Sequence, residues 1–152
     1  MDLHKILHAD AVRNSHSVSS KKRLFQDLAA IAFQNYGIDP EGAVEALLER
    51  EILGPTGVGR GVALPHARIE SLDQIVGCFI KLDRPIDFDA VDRQPVDLVF
   101  ALIVPEEKND EHLATLARIA ALMQKDESRQ KLRECTTNHD LYETALALER
   151  SS

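Results

Sequence analysis

The sequence predicts a three-layer α/β domain, and three observations predict it. Residues 75–82 and 96–104 are short and apolar, and the second, Val-Asp-Leu-Val-Phe-Ala-Leu-Ile-Val, is nearly continuous in apolar character, the mark of a strand buried on both faces. Helical periodicity lies before and after this pair, and strands set between helical segments pack as layers around one core. The 152 residues carry 44% hydrophobic and 28% charged side chains, a globular balance. Set against about 150 residues per domain, residues 1–152 are expected to form one domain.

Residues 1–18 read as mixed, with Leu3, Ile6 and Leu7 as a short apolar foothold and Ser15 to Ser20 as a polar connection. Ser19 or Ser20 caps a helix of about residues 20–35, whose Leu24, Phe25, Leu28, Ile31 and Ala32 recur at helical spacing. Gly37 stops it. Asp39-Pro40-Glu41 then places a cap, a first-turn proline and a favourable acid in order, starting a second helix that buries Val44, Leu47 and Leu48 and ends near 50–53.

Gly54-Pro55-Thr56-Gly57-Val58-Gly59-Arg60-Gly61 holds four glycines in eight residues and is expected to be an irregular loop. Val62-Ala63-Leu64 starts an extended segment, which Pro65 reinforces. Pro105 ends the second buried strand. Asn109 or Asp110 caps the next helix, with Leu113, Leu116, Ala117, Ala120 and Met123 as its apolar stripe, and Asp126 and Asn138 cap helices of about 127–134 and 139–149.

A net charge of −7 and a pI near 5.3 oppose a role in holding phosphate backbone, and the absence of Trp removes the usual stacking platforms. No nucleic-acid partner is expected. Cys78 and Cys135 share no metal-ligand spacing and read as reduced, buried thiols. The N-terminus carries no signal-peptide h-region and no stretch reaches 18 apolar residues, so a cytoplasmic protein without membrane insertion is expected.

Six histidines are the candidates for chemistry. His4 and His8 lie one helical turn apart but lack a third ligand, so no metal and no cofactor are expected. His16 and His139 read as solvated. His66 differs, because it follows the glycine-rich stretch and has Arg60 and Arg68 near it. Glycines expose backbone N–H groups to an anion, arginines offer bidentate donors to phosphate, and imidazole is a nucleophile near neutral pH. No Gly-Lys-Ser/Thr follows, so this is not a Walker loop. From these residues alone, a phosphate site and a structural turn with an incidental histidine are equally good readings.

The run from Gly54 to Arg68 resembles the active-site signature of the type-2 enzyme IIA domains of the bacterial phosphoenolpyruvate-dependent phosphotransferase system, and most of all their nitrogen-regulatory branch. Ser20-Lys21-Lys22-Arg23, Arg50-Glu51 and Asn109-Asp110-Glu111-His112-Leu113 are similar to that branch too, so the likeness covers nearly the whole chain. It implies the mannitol-type enzyme IIA fold, a three-layer α/β/α sandwich with a central mixed β-sheet. It implies that His66 is phosphorylated by an HPr-like phosphocarrier protein and that His112 and Arg50 stabilise the phosphoryl group. Thr56, Gly57, Gly59 and Arg60 are the expected substrate-binding residues. His112, in the first turn of a helix, suits an anion; it also reads as an exposed helix-start residue. Arg50 also reads as a solvated helix end, and Thr56 as closing the turn.

The function expected is a phosphotransferase component that carries phosphate on a histidine. A stand-alone nitrogen- or potassium-related regulator is preferred, with potassium-transport or sensor-kinase proteins as the kind of target implied. The alternatives are a fructose- or mannitol-type sugar IIA that donates to a IIB domain, a binding module that never carries phosphate, and a hydrolase using His66 and His112. Arg50, Arg60 and Arg68 against Glu51 leave a local charge of +2 around His66. Glu106, Glu107, Asp110 and Glu111 form an acidic run that reads as a solvated helix entry or as a field steering a basic carrier.

Overall fold

The computed structural model describes residues 2–107 and 110–152. Leu3–Lys5 form one 3-10 turn, and the chain then enters a ten-residue strand, β1 (Leu7–His16), where the sequence had promised a foothold and a polar connection. Leu7, Ala11 and Val12 are buried, but the pairing of this strand shifts register twice, so its apolar positions lose the alternation that reveals a strand.

The first two helices follow the sequence closely. In α1 (Lys21–Tyr36) the Ser20 side chain accepts the Arg23 N–H at 3.1 Å, Gly37 closes the helix at φ +69°, and all five expected apolar positions are buried. In α2 (Pro40–Leu53) the Asp39 carboxylate accepts the Gly42 N–H at 3.0 Å, and Ala43 and Leu47 face the core. Val44 and Leu48 are half-buried.

The glycine-rich segment is more regular than expected. It contains a hairpin of β2 (Gly57–Gly59) and β3 (Val62–Ala63), joined by Arg60 at φ +58° and Gly61 at φ +79°. Two successive positive φ values define the type I′ turn, whose twist matches a hairpin. Glycine thus builds a strand pair here instead of preventing one.

β4 (His66–Ile69) resumes after Leu64-Pro65, and both β3 and β4 run parallel to the same edge of β6 (Val96–Pro105), with Val62 opposite Leu98 and His66 opposite Leu102. Pro65 has no N–H to give, yet its carbonyl accepts the Leu102 N–H at 2.9 Å, so the edge is interrupted without being lost. β5 (Val76–Ile86) lies antiparallel on the other side of β6 and parallel to β1. The order β1-β5-β6-β3-β2, with β4 also on β6, is a mixed sheet. Phe79 and Phe100 stack across β5 and β6 with centroids 5.4 Å apart.

After β6 come α3 (Asp110–Gln124), α4 (Asp126–Glu134) and α5 (Asn138–Arg150). The helices pack as two groups, α1 with α2 and α3 with α4 and α5, which gives the three-layer sandwich. α3 is rotated from expectation: Thr115, Ile119, Leu122 and Met123 are buried, Leu116 and Ala120 are half-buried, and Ala117 and Leu113 are exposed. Asn109 lies outside the described residues, and Asp110 is the first helical residue. The caps also move by one position. Thr137, not Asn138, accepts the Asp140 N–H, while Asp126 sits inside the first turn of α4, which has no side-chain cap.

Lys81 of β5 is buried and closes α4 from below. Its ammonium donates to the carbonyls of Leu132 (3.1 Å), Arg133 (3.0 Å) and Cys135, the groups a helix end leaves unsatisfied. Cys78 and Cys135 are free and buried, as the sequence implied. Burial pushes the Cys78 thiol up to about 12, so it is inert.

Candidate active site

His66 is the first residue of β4, and two hydrogen bonds fix its ring. Nδ1 lies 3.0 Å from the Leu64 carbonyl, and Nε2 lies 3.2 Å from Arg50 Nε. A carbonyl can only accept and a guanidinium can only donate, so Nδ1 carries the hydrogen and Nε2 presents a lone pair. Burial lowers the His66 pKa below its ordinary 6.5; the Leu64 bond opposes this and the Arg50 charge adds to it. The imidazole is therefore neutral near pH 7.

Arg50 reaches His66 from the last turn of α2 and also donates from Nη1 to the Gly54 carbonyl at 2.9 Å. It is thus not a solvated helix end. The turn that brings Gly54 to it is tied down by Glu51, whose carboxylate accepts the Thr56 N–H at 3.0 Å and the Thr56 hydroxyl at 2.5 Å. Lys21 neutralises that carboxylate at 3.0 Å and rests over the Phe88 ring. Thr56 is buried and its hydroxyl is occupied by Glu51, so it closes the turn and its donor is not free for a phosphoryl oxygen.

A cavity of about 360 Å³ opens beside His66. Its lining joins His66 and Arg68 of β4, Leu102 and Val104 of β6, and Asp110, His112, Leu113 and Leu116 of α3. His112 therefore shares a pocket with His66, in the first turn of α3, where the positive end of the helix dipole favours an anion. Leu113, exposed because α3 is rotated, forms part of this wall.

The other expected binding residues lie elsewhere. Gly57 allows close packing: a Cβ there would sit 2.8 Å from the Ala90 Cβ. Gly59 abuts Asp92, and the Arg60 N–H donates to the Asp92 carboxylate at 2.8 Å. The Arg60 guanidinium is 3.6 Å from Asp126. This turn lies beyond Val62, which faces Leu98, whereas His66 faces Leu102, four residues along β6 and thus about 13 Å away. The +2 island of the sequence is therefore split, with Arg50 and Arg68 at His66 and Arg60 at the far end.

Of the remaining histidines, His4 is in the 3-10 turn, bonded to Asp2, and His8 is in β1, so no helical face joins them. His16, read as solvated, is half-buried and lies 2.8 Å from Asp27. His139 is exposed. Glu51 and the Leu64 carbonyl were missed as positioning groups. A carboxylate next to Arg50 and before the glycines was a signal for the first; its cation, Lys21, lies thirty positions away and gave none.

The mixed sheet thus sets a histidine against an arginine, with a second histidine in the first turn of a helix that lines the same small cavity. The family model for the phosphoenolpyruvate-dependent sugar phosphotransferase system, EIIA 2, matches residues 5–147, and the chain belongs to that family. Within it, the chain is 43% identical to the nitrogen regulatory protein of Bradyrhizobium diazoefficiens, over 97% of this chain and 96% of that one. The crystal structure of the nitrogen regulatory protein IIA-Ntr from Neisseria meningitidis superposes with a TM-score of 0.88 at 34% identity, covering 95% of this chain and 97% of the other. The mannitol enzyme IIA of Escherichia coli, in its complex with phosphorylated enzyme IIB, shares the fold with a TM-score of 0.74 at 18% identity, covering 93% of this chain and 96% of that one. No helix among the described residues is long and apolar enough to cross a membrane.

Proposed function

We propose that the protein carries a phosphoryl group on His66 Nε2, accepts it from a phosphohistidine of an HPr-like carrier, and acts as a regulator whose phosphorylation state selects the proteins it binds. The observation that carries this reading is the ring of His66 itself, with Nδ1–H held by the Leu64 carbonyl and the Nε2 lone pair turned to Arg50.

Phosphoryl transfer between imidazoles is chiefly a matter of positioning and charge. The Nε2 lone pair attacks phosphorus in line as the N–P bond to the donor imidazole breaks and its electron pair returns to the donor nitrogen. His66 keeps its Nδ1 proton, so the product ring carries positive charge, which the Leu64 carbonyl stabilises. The Arg50 Nε–H, which caps the lone pair at rest, passes to a phosphoryl oxygen. His112, which lines the same cavity, is set to meet the other oxygens. One N–P bond replaces another of similar energy, so the transfer is reversible.

The regulatory reading rests on the 43% and 34% identities to nitrogen regulatory proteins. Its competitor is a sugar IIA, because a fold relative was caught with a phosphorylated IIB. The test is to label the protein from phosphoenolpyruvate through a phosphorylated carrier. Wild type should take up one acid-labile phosphoryl group and His66→Ala none; label persisting in His66→Ala would end the carrier reading. Rapid transfer onward to a fructose or mannitol IIB would replace the regulator by the sugar component.

A further inference from the structure

Arg68 stands two residues after His66 on β4, so both side chains leave the same face of the strand. Both line the 360 Å³ cavity. Arg68 also lines a second groove, between α2 and the end of β4, together with the carboxylates of Glu45, Glu49, Glu70 and Glu106. It thus forms the ridge between a site suited to an anion and a surface already negative.

The neighbouring cations are engaged. Arg50 is bonded to His66 and Gly54, Lys21 to Glu51, and Arg60 is paired with Asp126. Among the described residues, no hydrogen bond or ion pair holds the Arg68 side chain. Its five N–H donors are unspent, and its charge is already felt at His66, where it helps to lower the pKa. A phosphoryl group brings roughly −1.5 to −2 charges, more than Arg50 alone can neutralise. A guanidinium fork can take two of its oxygens at once.

We propose that Arg68 is a further residue of the phosphoryl site: its guanidinium rests against the acidic groove while His66 is bare and closes on the phosphoryl group once His66 carries it. This rests on the carrier reading above. The same movement removes the one cation among the groove's described lining residues, so the surface beside α2 becomes more negative when the protein is phosphorylated. Phosphorylation at a recessed histidine is thereby reported on an outer face.

The experiment follows the Arg68 Nε–Hε resonance by NMR before and after phosphorylation through a phosphorylated carrier, alongside Arg68→Gln and Arg68→Lys. In the wild type the resonance should shift on phosphorylation, and the amides of Glu45 and Glu49 should move with it. Arg68→Gln should accept the phosphoryl group about 10–100-fold more slowly, with an unchanged melting midpoint because the side chain is exposed. Arg68→Lys should recover part of the rate, since an ammonium keeps the charge but not the fork. If the wild type is phosphorylated while the Arg68 resonance stays put and Arg68→Gln reacts within twofold of wild type, the inference is overturned and the carrier reading stands. A wild type that takes no phosphoryl group overturns both.

Discussion

Replacing Arg50 by Met keeps an unbranched stem out to about the Nε position and removes every donor, and two opposing effects then set the rate. In the proposed phosphorylated state Arg50 would make a charge-assisted bond to a phosphoryl oxygen, a contact of about 1.5–3 kcal/mol. In the resting state it makes a longer bond, 3.2 Å, to the very lone pair that must attack. Losing that bond frees the nucleophile and returns about 0.5–1.5 kcal/mol. The difference, about 1–2 kcal/mol, predicts acceptance slowed roughly 5–30-fold. The His66 pKa changes as well: burial is the first cause of its lowering, and with the Arg50 charge gone it rises. The assay is single-turnover labelling by a phosphorylated carrier from pH 5 to 8, with the His66 ring titrated by NMR. The acid limb of the rate profile should shift to higher pH in Arg50→Met. An unchanged rate together with an unmoved His66 titration would refute the reasoning, because it would mean that Arg50 touches neither ground state nor product.

Four further outcomes are expected. Gly57→Ala forces a Cβ to 2.8 Å from the Ala90 Cβ and should cost about 1–3 kcal/mol, read as a lower urea midpoint with an unchanged slope. Lys81→Met should cost about 2–4 kcal/mol, because three carbonyls at the end of α4 lose the ammonium and Leu132 keeps only the Cys135 N–H, and amide exchange should rise first in the last turn of that helix. The unfolded chain binds a proton at His66 near pH 6.5 and the native chain only at lower pH, so stability falls as pH drops from about 6.5 through the native pKa; His66→Gln should flatten that part of the melting profile. Changing Glu106, Glu107, Asp110 and Glu111 to Lys should slow labelling by a basic carrier at low salt and much less at high salt, whereas a salt-independent rate would remove the steering idea.

Local signals made the helices and the two central strands legible. Ser20, Asp39 and Gly37 act where their chemistry says they should, and β6 is apolar because both its faces are covered. β1 was hidden because its burial depends on a parallel partner some seventy residues away and its register shifts break the pattern. The turn of α3 that leaves Leu113 exposed at the cavity is likewise a tertiary choice, since Thr115 faces the core in place of the more apolar residue. His66, His112 and Arg50 could be named from the signature, but the bond between Arg50 and His66 depends on how Glu51 and Thr56 fold the intervening turn. Arg60 shows the converse. Nearness in sequence to His66 suggested a shared site, and a hairpin carried it to the opposite end of β6.

Pro65 has a kinetic consequence. The proline fixes the backbone immediately before the reactive ring, and the short strands on either side are both bonded to β6. The proposed nucleophile therefore sits on a stiff edge held at both flanks. Accommodating a phosphoryl group then falls to side-chain rotations such as those of Arg50 and Arg68, which take picoseconds to nanoseconds, and not to loop opening on microsecond or millisecond scales. In the proposed carrier, the interval between charging and discharging would be governed by how often partner proteins meet it, so that its phosphorylation level would track partner concentrations without a delay from the fold.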